Sequence, residues 1–186
     1  ELKLSGTDRS GMTVLHRATQ SCFLAGMKLC LHTSYDLSEI SEYKKSGFDF
    51  LDPNTSILAD TVDINSTSFN GWTPIRMAVR YGNLDAARYL IAHRNTIDVN
   101  VRTRSGNAPI HFACKYGDLE ILMILLQICH VDINIRTRQK MRPIHFAVFN
   151  GHLNLVSYLL TFENILLNVK DKNKTTPLHN AIKFDM

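Results

Sequence analysis

Four prolines recur at an almost constant interval, each inside the same short string. The strings are Thr73-Pro74-Ile75-Arg76, Ala108-Pro109-Ile110-His111, Arg142-Pro143-Ile144-His145 and Thr176-Pro177-Leu178-His179, and their prolines lie 35, 34 and 34 residues apart. A period of this length constrains the fold more than any compositional property does. Each period is one supersecondary unit, too small to bury its own apolar face, so the units must stack and share a core. The register runs beyond the tetrads. Asn65, Asn100, Asn134 and Asn168 each precede the tetrad's last residue by 11 positions, Ala78, Ala113, Ala147 and Ala181 follow it by two, and Gly82, Gly117 and Gly151 come four after the alanine.

One unit reads as two short antiparallel helices. A proline at a helix start gives up an N–H that has no partner there, so Pro143 opens the first helix instead of breaking it. Thr73 and Thr176, directly before their prolines, are expected N-caps. Gly82, Gly117 and Gly151 are expected to end that helix with a positive φ. In the second helix of the fourth unit, Leu153, Leu155, Val156, Leu159 and Leu160 fall at helical spacing and are expected to form one apolar face. The corresponding "DLEILMILL" (residues 118–126) is apolar over a wider arc and is expected to be more deeply sandwiched.

A period near 33 with the pattern T-P-L-H-x-A resembles the ankyrin repeat family, over about 160 of the 186 residues. A further copy stands at the N-terminus, with Thr13-Val14-Leu15-His16 as its tetrad, Ala18 as its alanine, Asp8 and Gly11 in its turn, and Cys22 in place of the helix-ending glycine. The resemblance implies an all-α repeat solenoid: helix–turn–helix units joined by β-hairpin or finger loops, in five copies with the last one partial. The expected organisation is a single domain over 1–186, with repeats at 5–38, 65–99, 100–133, 134–167 and 168–186. Copy one is separated from copy two by 60 residues (His16 to Arg76), and the excess is read as an inserted loop at 39–62 instead of a degenerate repeat. Glu39, Glu42, Asp49, Asp52 and Asp60 against Lys44 and Lys45 make that insertion acidic. Asp36 with Glu39 resembles a capping box, and Gly47 could stop a short helix. The insertion is either a surface elaboration or a functional loop. Lys140 and Lys174 replace the turn glycine of copies four and five, which implies another turn geometry or a strained left-handed backbone.

Composition bounds the chemistry. Hydrophobic content of 45% and charged content of 20% describe a folded chain. The longest apolar run, residues 121–126, is far short of the ~18 needed to span a membrane, so no membrane span is expected. "ELKLSGTDRS" shows no secretory h-region, and an intracellular, cytoplasmic or nuclear location is expected. Cys22, Cys30, Cys114 and Cys129 form no C-x-x-C pair and are expected to be small buried thiols, with Cys22, Cys30 and Cys129 inside helices.

Nothing in the sequence converges as a catalytic cluster must. His16, His111, His145 and His179 share one repeat position, and the resemblance implies that they bond backbone between copies. His152 follows a glycine, while His32, His93 and His130 lie near predicted helix ends. No H-E-x-x-H, Walker loop, G-x-S-x-G or paired-carboxylate motif is present. The chain is therefore expected not to be an enzyme and to need no cofactor or metal.

The turns are more informative. Their tips place Arg9, Phe69, Arg104, Arg138 and Lys172 at one repeat position, flanked by Arg102, Arg136 and Lys170 and extended by Lys140, Arg142 and Lys174. The resemblance implies that finger tips and the exposed face of each first helix line a binding groove. The matching helix positions are Arg80-Tyr81, Lys115-Tyr116 and Phe149-Asn150, and Trp72 and Met141 are expected to be exposed beside them. Arginine and aromatic residues are those enriched at binding hot spots. The competing reading is solvated charge that aids solubility. A non-catalytic protein–protein interaction module is expected, binding a protein or peptide with an acidic surface. The alternatives are an anionic ligand (nucleotide, nucleic acid or phosphorylated molecule), with nucleic acid disfavoured by a net charge of only +4, and a targeting module of a larger enzyme.

Overall fold

The structure is a computed structural model that describes residues 2–3, 6–31, 57–58, 62–92 and 97–183. Its helices are α1 (Val14–Gln20), α2 (Leu24–Leu31), α3 (Pro74–Tyr81), α4 (Leu84–Ala92), α5 (Pro109–Tyr116), α6 (Leu119–Gln127), α7 (Pro143–Phe149), α8 (Leu153–Leu159) and α9 (Pro177–Lys183). They form four helix pairs and the first helix of a fifth, as the repeat predicts. Apart from Ile57–Leu58 and Val62, the 39–62 insertion lies outside the described residues, as do Asp36, His32 and His93. Ile57–Leu58 pairs in parallel with Leu2–Lys3 near the N-terminus.

The chain divides into two compact units, residues 1–97 and 98–186. In the first, α1 packs on α2 and α3, and α4 packs on α2 and α3. In the second, α7 lies between α5 and α9, α5 packs on α6, and α8 packs on α6 and α7. The core repeats with the sequence. The residue after the helix-opening position (Leu15, Ile75, Ile110, Ile144) and the register alanine (Ala18, Ala78, Ala113, Ala147) are buried in every full copy. The wide apolar arc of α6 buries Ile121, Leu122, Ile124, Leu125 and Leu126, as expected.

Three expectations need correction. In α8 only Leu155 and Leu159 are fully buried, while Leu153 is 62% and Leu160 49% exposed. At 3.6 residues per turn, Leu153 and Leu160 point roughly 140–160° away from Leu155, so the five residues span more than one face. Cys22 and Cys129 lie outside the helices and are half-buried, whereas Cys30 and Cys114 are buried. Cys22 takes a φ of 54°, the left-handed backbone that its glycine-equivalent position demands. Thr73 makes no capping bond, and its hydroxyl is buried without a hydrogen-bond partner.

Capping falls mainly to histidine. The amides of Thr13, Ala108 and Arg142 donate to Nδ1 of His16, His111 and His145 at 3.2, 3.0 and 3.2 Å. With Nδ1 accepting, each neutral ring carries its proton on Nε2. Nε2 then donates to the next copy: His16 to the Trp72 carbonyl (2.7 Å), His111 to Ile135 (3.2 Å) and His145 to Val169 (3.2 Å). One side chain thus starts a helix and ties two copies together. Thr176 does cap α9, accepting the His179 amide at 3.4 Å. Residues after the helix-ending glycine add a second tie where they can donate. Asn83 Nδ2 reaches the Thr19 and Gln20 carbonyls (2.8 and 2.9 Å), and His152 Nε2 reaches Lys115 (3.1 Å). Asp118, which can only accept, instead caps its own helix through Ile121 N at 2.9 Å.

Candidate interaction surface

Among the described residues, five finger loops close by one pattern. The amides of Asp8, Ser68, Thr103, Thr137 and Asp171 each donate to the carbonyl four residues on, at 2.9 Å in every case. The same residue's side-chain oxygen accepts an amide across the turn. Asp8 takes Ser10 and Met12 (2.7 and 3.1 Å), Ser68 takes Trp72 (3.1 Å), Thr103 takes Asn107 (3.0 Å), Thr137 takes Met141 (3.2 Å) and Asp171 takes Asn173 and Thr175 (2.8 and 2.9 Å). Asp, Ser and Thr are interchangeable here because each places one short-tethered acceptor within reach of the turn. In copy one that carboxylate also holds Arg17, at 2.5 Å. The hydrogen bond from Arg17, helped by the turn amides, lowers the Asp8 pKa to about 2.

The turns complete themselves with a positive φ, at Gly11, Gly71 and Gly106 and then at Lys140 (60°) and Lys174 (64°). Of the two geometries the sequence allows, the lysines adopt the left-handed one. Gly106 is doubly constrained, since its φ is 82° and a Cβ there would stand 2.8 Å from the Arg138 amide nitrogen.

That close approach belongs to a ladder joining successive tips. Phe69 N donates to the Ser10 carbonyl (3.1 Å), Arg138 N to Ser105 (3.0 Å) and Lys172 N to Gln139 (2.8 Å). Within residues 98–186 the ladder brings Arg104, Arg138 and Lys172 to consecutive levels, all exposed. Arg9 and Phe69 form the corresponding pair in residues 1–97, with Phe69 71% exposed. Arg102 donates to the Arg136 carbonyl at 3.2 Å and Arg142 to the Asn134 carbonyl, so these guanidinium groups also hold the loops. The charge is unevenly spread. Residues 98–186 hold 11 Lys and Arg against 7 Asp and Glu, while residues 1–97 hold 10 of each, so the whole formal excess of +4 lies in the second unit.

Cations and rings meet on the first helices. In residues 1–97, the Arg76 guanidinium lies 4.3 Å and that of Arg80 5.1 Å from the Trp72 ring centre, and Arg80 lies 5.8 Å from Tyr81. Trp72 is half-buried in this stack, not exposed as expected, because it sits beneath the two arginines. Arg76 is buried, replaces the repeat histidine and donates to the Gly71 carbonyl. In residues 98–186, Lys115 lies 5.6 Å from the Tyr116 ring, and Tyr116 stacks on Phe112 at 6.3 Å. Tyr116 and Phe149 are exposed, but Met141 is half-buried, since it lines a hollow with Phe146 and Phe149.

Phe146 and Lys183 are not among the sequence-derived candidates, although the structure places them in the same hollow as Lys115, Met141 and Asn150. A signal was present: Phe146 stands three residues before Phe149, on the same helix face.

The described residues hold no group of three or more His, Cys, Asp or Glu able to bind a metal ion. No described helix is long and apolar enough to cross a membrane. The family model described as ankyrin repeats (3 copies) matches residues 50–137 and 110–186. No curated protein matches the chain.

Proposed function

The chain belongs to the ankyrin repeat family, and from that premise we propose that it is a non-catalytic module binding an acidic protein or peptide surface through its finger tips and first helices. Ankyrin repeats generally mediate protein–protein interaction, and proteins built from them are typically non-catalytic. The observation that carries the finer reading is the tip ladder of residues 98–186. Backbone bonds hold the loops that carry Arg104, Arg138 and Lys172 at successive levels, so three exposed cations follow one another at a repeat position that carries no carboxylate. Such an arrangement costs repulsion in the free protein, and an anionic partner relieves it. Tyr116 and Phe149 supply apolar contact beside the row. Residues 1–97 carry a corresponding surface of their own, with Arg9 and Phe69 at the tips of copies one and two and Trp72, Arg80 and Tyr81 beside them.

The test is charge reversal. Arg104→Glu with Arg138→Glu should weaken binding to a partner captured from lysate at least tenfold, about 1.4 kcal/mol. The loss should lie in association rate and shrink at high salt, because exposed rim charges act mainly by steering. Unchanged affinity would remove the finger row from the interface. The density of cations on these loops also favours a second reading, a phosphate-bearing ligand or nucleic acid. That reading requires a steep salt dependence, falling by about one unit of slope for each phosphate contact removed, where a protein partner gives a shallow one.

A further inference from the structure

We propose that the hollow lined by copies three, four and five is an anchor pocket for one apolar side chain of an extended acidic peptide. The proposal rests on the reading that the finger side of this chain binds an acidic partner. The hollow has a volume of about 410 Å³ and lies wholly within residues 98–186. That is within the ~300–1,000 Å³ typical of ligand sites, and it opens to solvent beside the finger row.

Its walls make three separate demands on an occupant. Met141, Phe146 and Phe149 form an apolar wall, and Phe149 is 51% exposed, so apolar surface is on offer. Lys115 from α5 and Lys183 from α9 are both exposed and bring positive charge from two different copies. Asp171, Asn150 and Asn180 supply acceptor oxygens, with Asn180 buried and the Asp171 carboxylate fixed by the amides of Asn173 and Thr175. A phosphate group leaves the ring wall uncovered, and a compact dianion seated among the walls cannot keep clear of the Asp171 carboxylate, whereas an acidic side chain on an extended backbone reaches the lysines from outside the hollow. An extended peptide meets all three: an apolar side chain for the ring wall, neighbouring Asp or Glu for the lysines, and backbone N–H groups for the acceptors.

The experiment pans a phage-displayed random peptide library against the whole chain. Enriched peptides are then titrated by fluorescence anisotropy against the wild type and variants whose melting curves match it. Enriched sequences should share one aromatic or aliphatic residue within two positions of Asp or Glu. Phe149→Ala should weaken them at least tenfold, mainly in dissociation rate, Phe149→Leu should keep most of the affinity, and Lys115→Glu should weaken them severalfold. Peptides that bind Phe149→Ala and Lys115→Glu as tightly as the wild type overturn the pocket. If those same peptides still lose affinity with Arg104→Glu and Arg138→Glu, the finger row survives and only the pocket fails. Insensitivity to every variant overturns both. Failure to enrich any peptide, with or without binding of an oligothymidylate probe, also overturns the pocket.

Discussion

His111 does two jobs with one ring, and the capping one depends on its being neutral. Nδ1 accepts the Ala108 amide and Nε2 donates to the Ile135 carbonyl, in a side chain that is 1% exposed. Replacing it with alanine strands a buried donor and a buried acceptor. We expect His111→Ala to cost on the order of 1–2 kcal/mol in urea unfolding. Protonation attacks the same point, because a proton on Nδ1 displaces the capping bond. Burial pushes the His111 pKa from 6.5 down to about 4. Between those values the unfolded chain binds more protons than the folded one, so stability falls as pH is lowered and levels off below the folded value. His16 and His145 shift the same way, again through burial. Urea midpoints measured from neutral pH down through the His111 value should show this decline, and His111→Ala should flatten part of it. The repeat position of these histidines and their backbone bonding were legible in the sequence. The failure of Thr73 to cap was not. Its copy carries Arg76 in place of histidine, and no pattern of residue types says that a threonine hydroxyl will be buried away from the helix amides.

The finger loop is the element on which the sequence spoke most clearly, because turn chemistry is local. Asp8, Ser68, Thr103, Thr137 and Asp171 look unlike one another, yet each closes its loop with one side-chain acceptor. Lys140 and Lys174 depart from that economy. A left-handed backbone costs a non-glycine residue about 1–2 kcal/mol, set against the roughly 0.5–1 kcal/mol of extra chain entropy that glycine loses on folding. Lys140→Gly and Lys174→Gly should therefore leave stability unchanged or raise it by up to about 1.5 kcal/mol each, read from thermal melts. The same changes should weaken binding to a fluorescent poly-glutamate peptide, since each removes a finger cation. A loss of stability on either substitution would mean that the lysine side chains hold the loops together. The hollow of copies three to five was harder to foresee. Phe149 and Lys115 were visible as candidates, but Lys183 lies 68 residues beyond Lys115. Only the packing of α7 between α5 and α9 gathers them. Periodicity assigns residues to faces, and it does not say which side chains of neighbouring copies will leave a gap. The α8 leucines failed for a related reason: helical spacing was matched loosely, and the angular positions of Leu153 and Leu160 place them outside the buried arc.

For the whole molecule, the uneven charge separates two explanations of any affinity for acidic partners. One is the net charge, which attracts anions whatever its location; the other is the local field of the fingers. Arg104→Glu with Arg138→Glu takes the formal charge from +4 to zero. Lys28→Glu with Arg88→Glu does the same from exposed helix positions in residues 1–97. At physiological ionic strength the Debye length is about 8 Å, so charges beyond the binding surface are largely screened and only those close to the approaching partner steer it. Stopped-flow association with the poly-glutamate peptide should therefore slow by tenfold or more for the finger pair and by less than about twofold for the helix pair. At about 10 mM salt, where the Debye length reaches ~30 Å, the two pairs should converge, because the net charge is then felt as well as the local field. Equal effects at physiological salt would reduce the finger row to a share of the net charge, and its ordered ladder would then have no role in recognition.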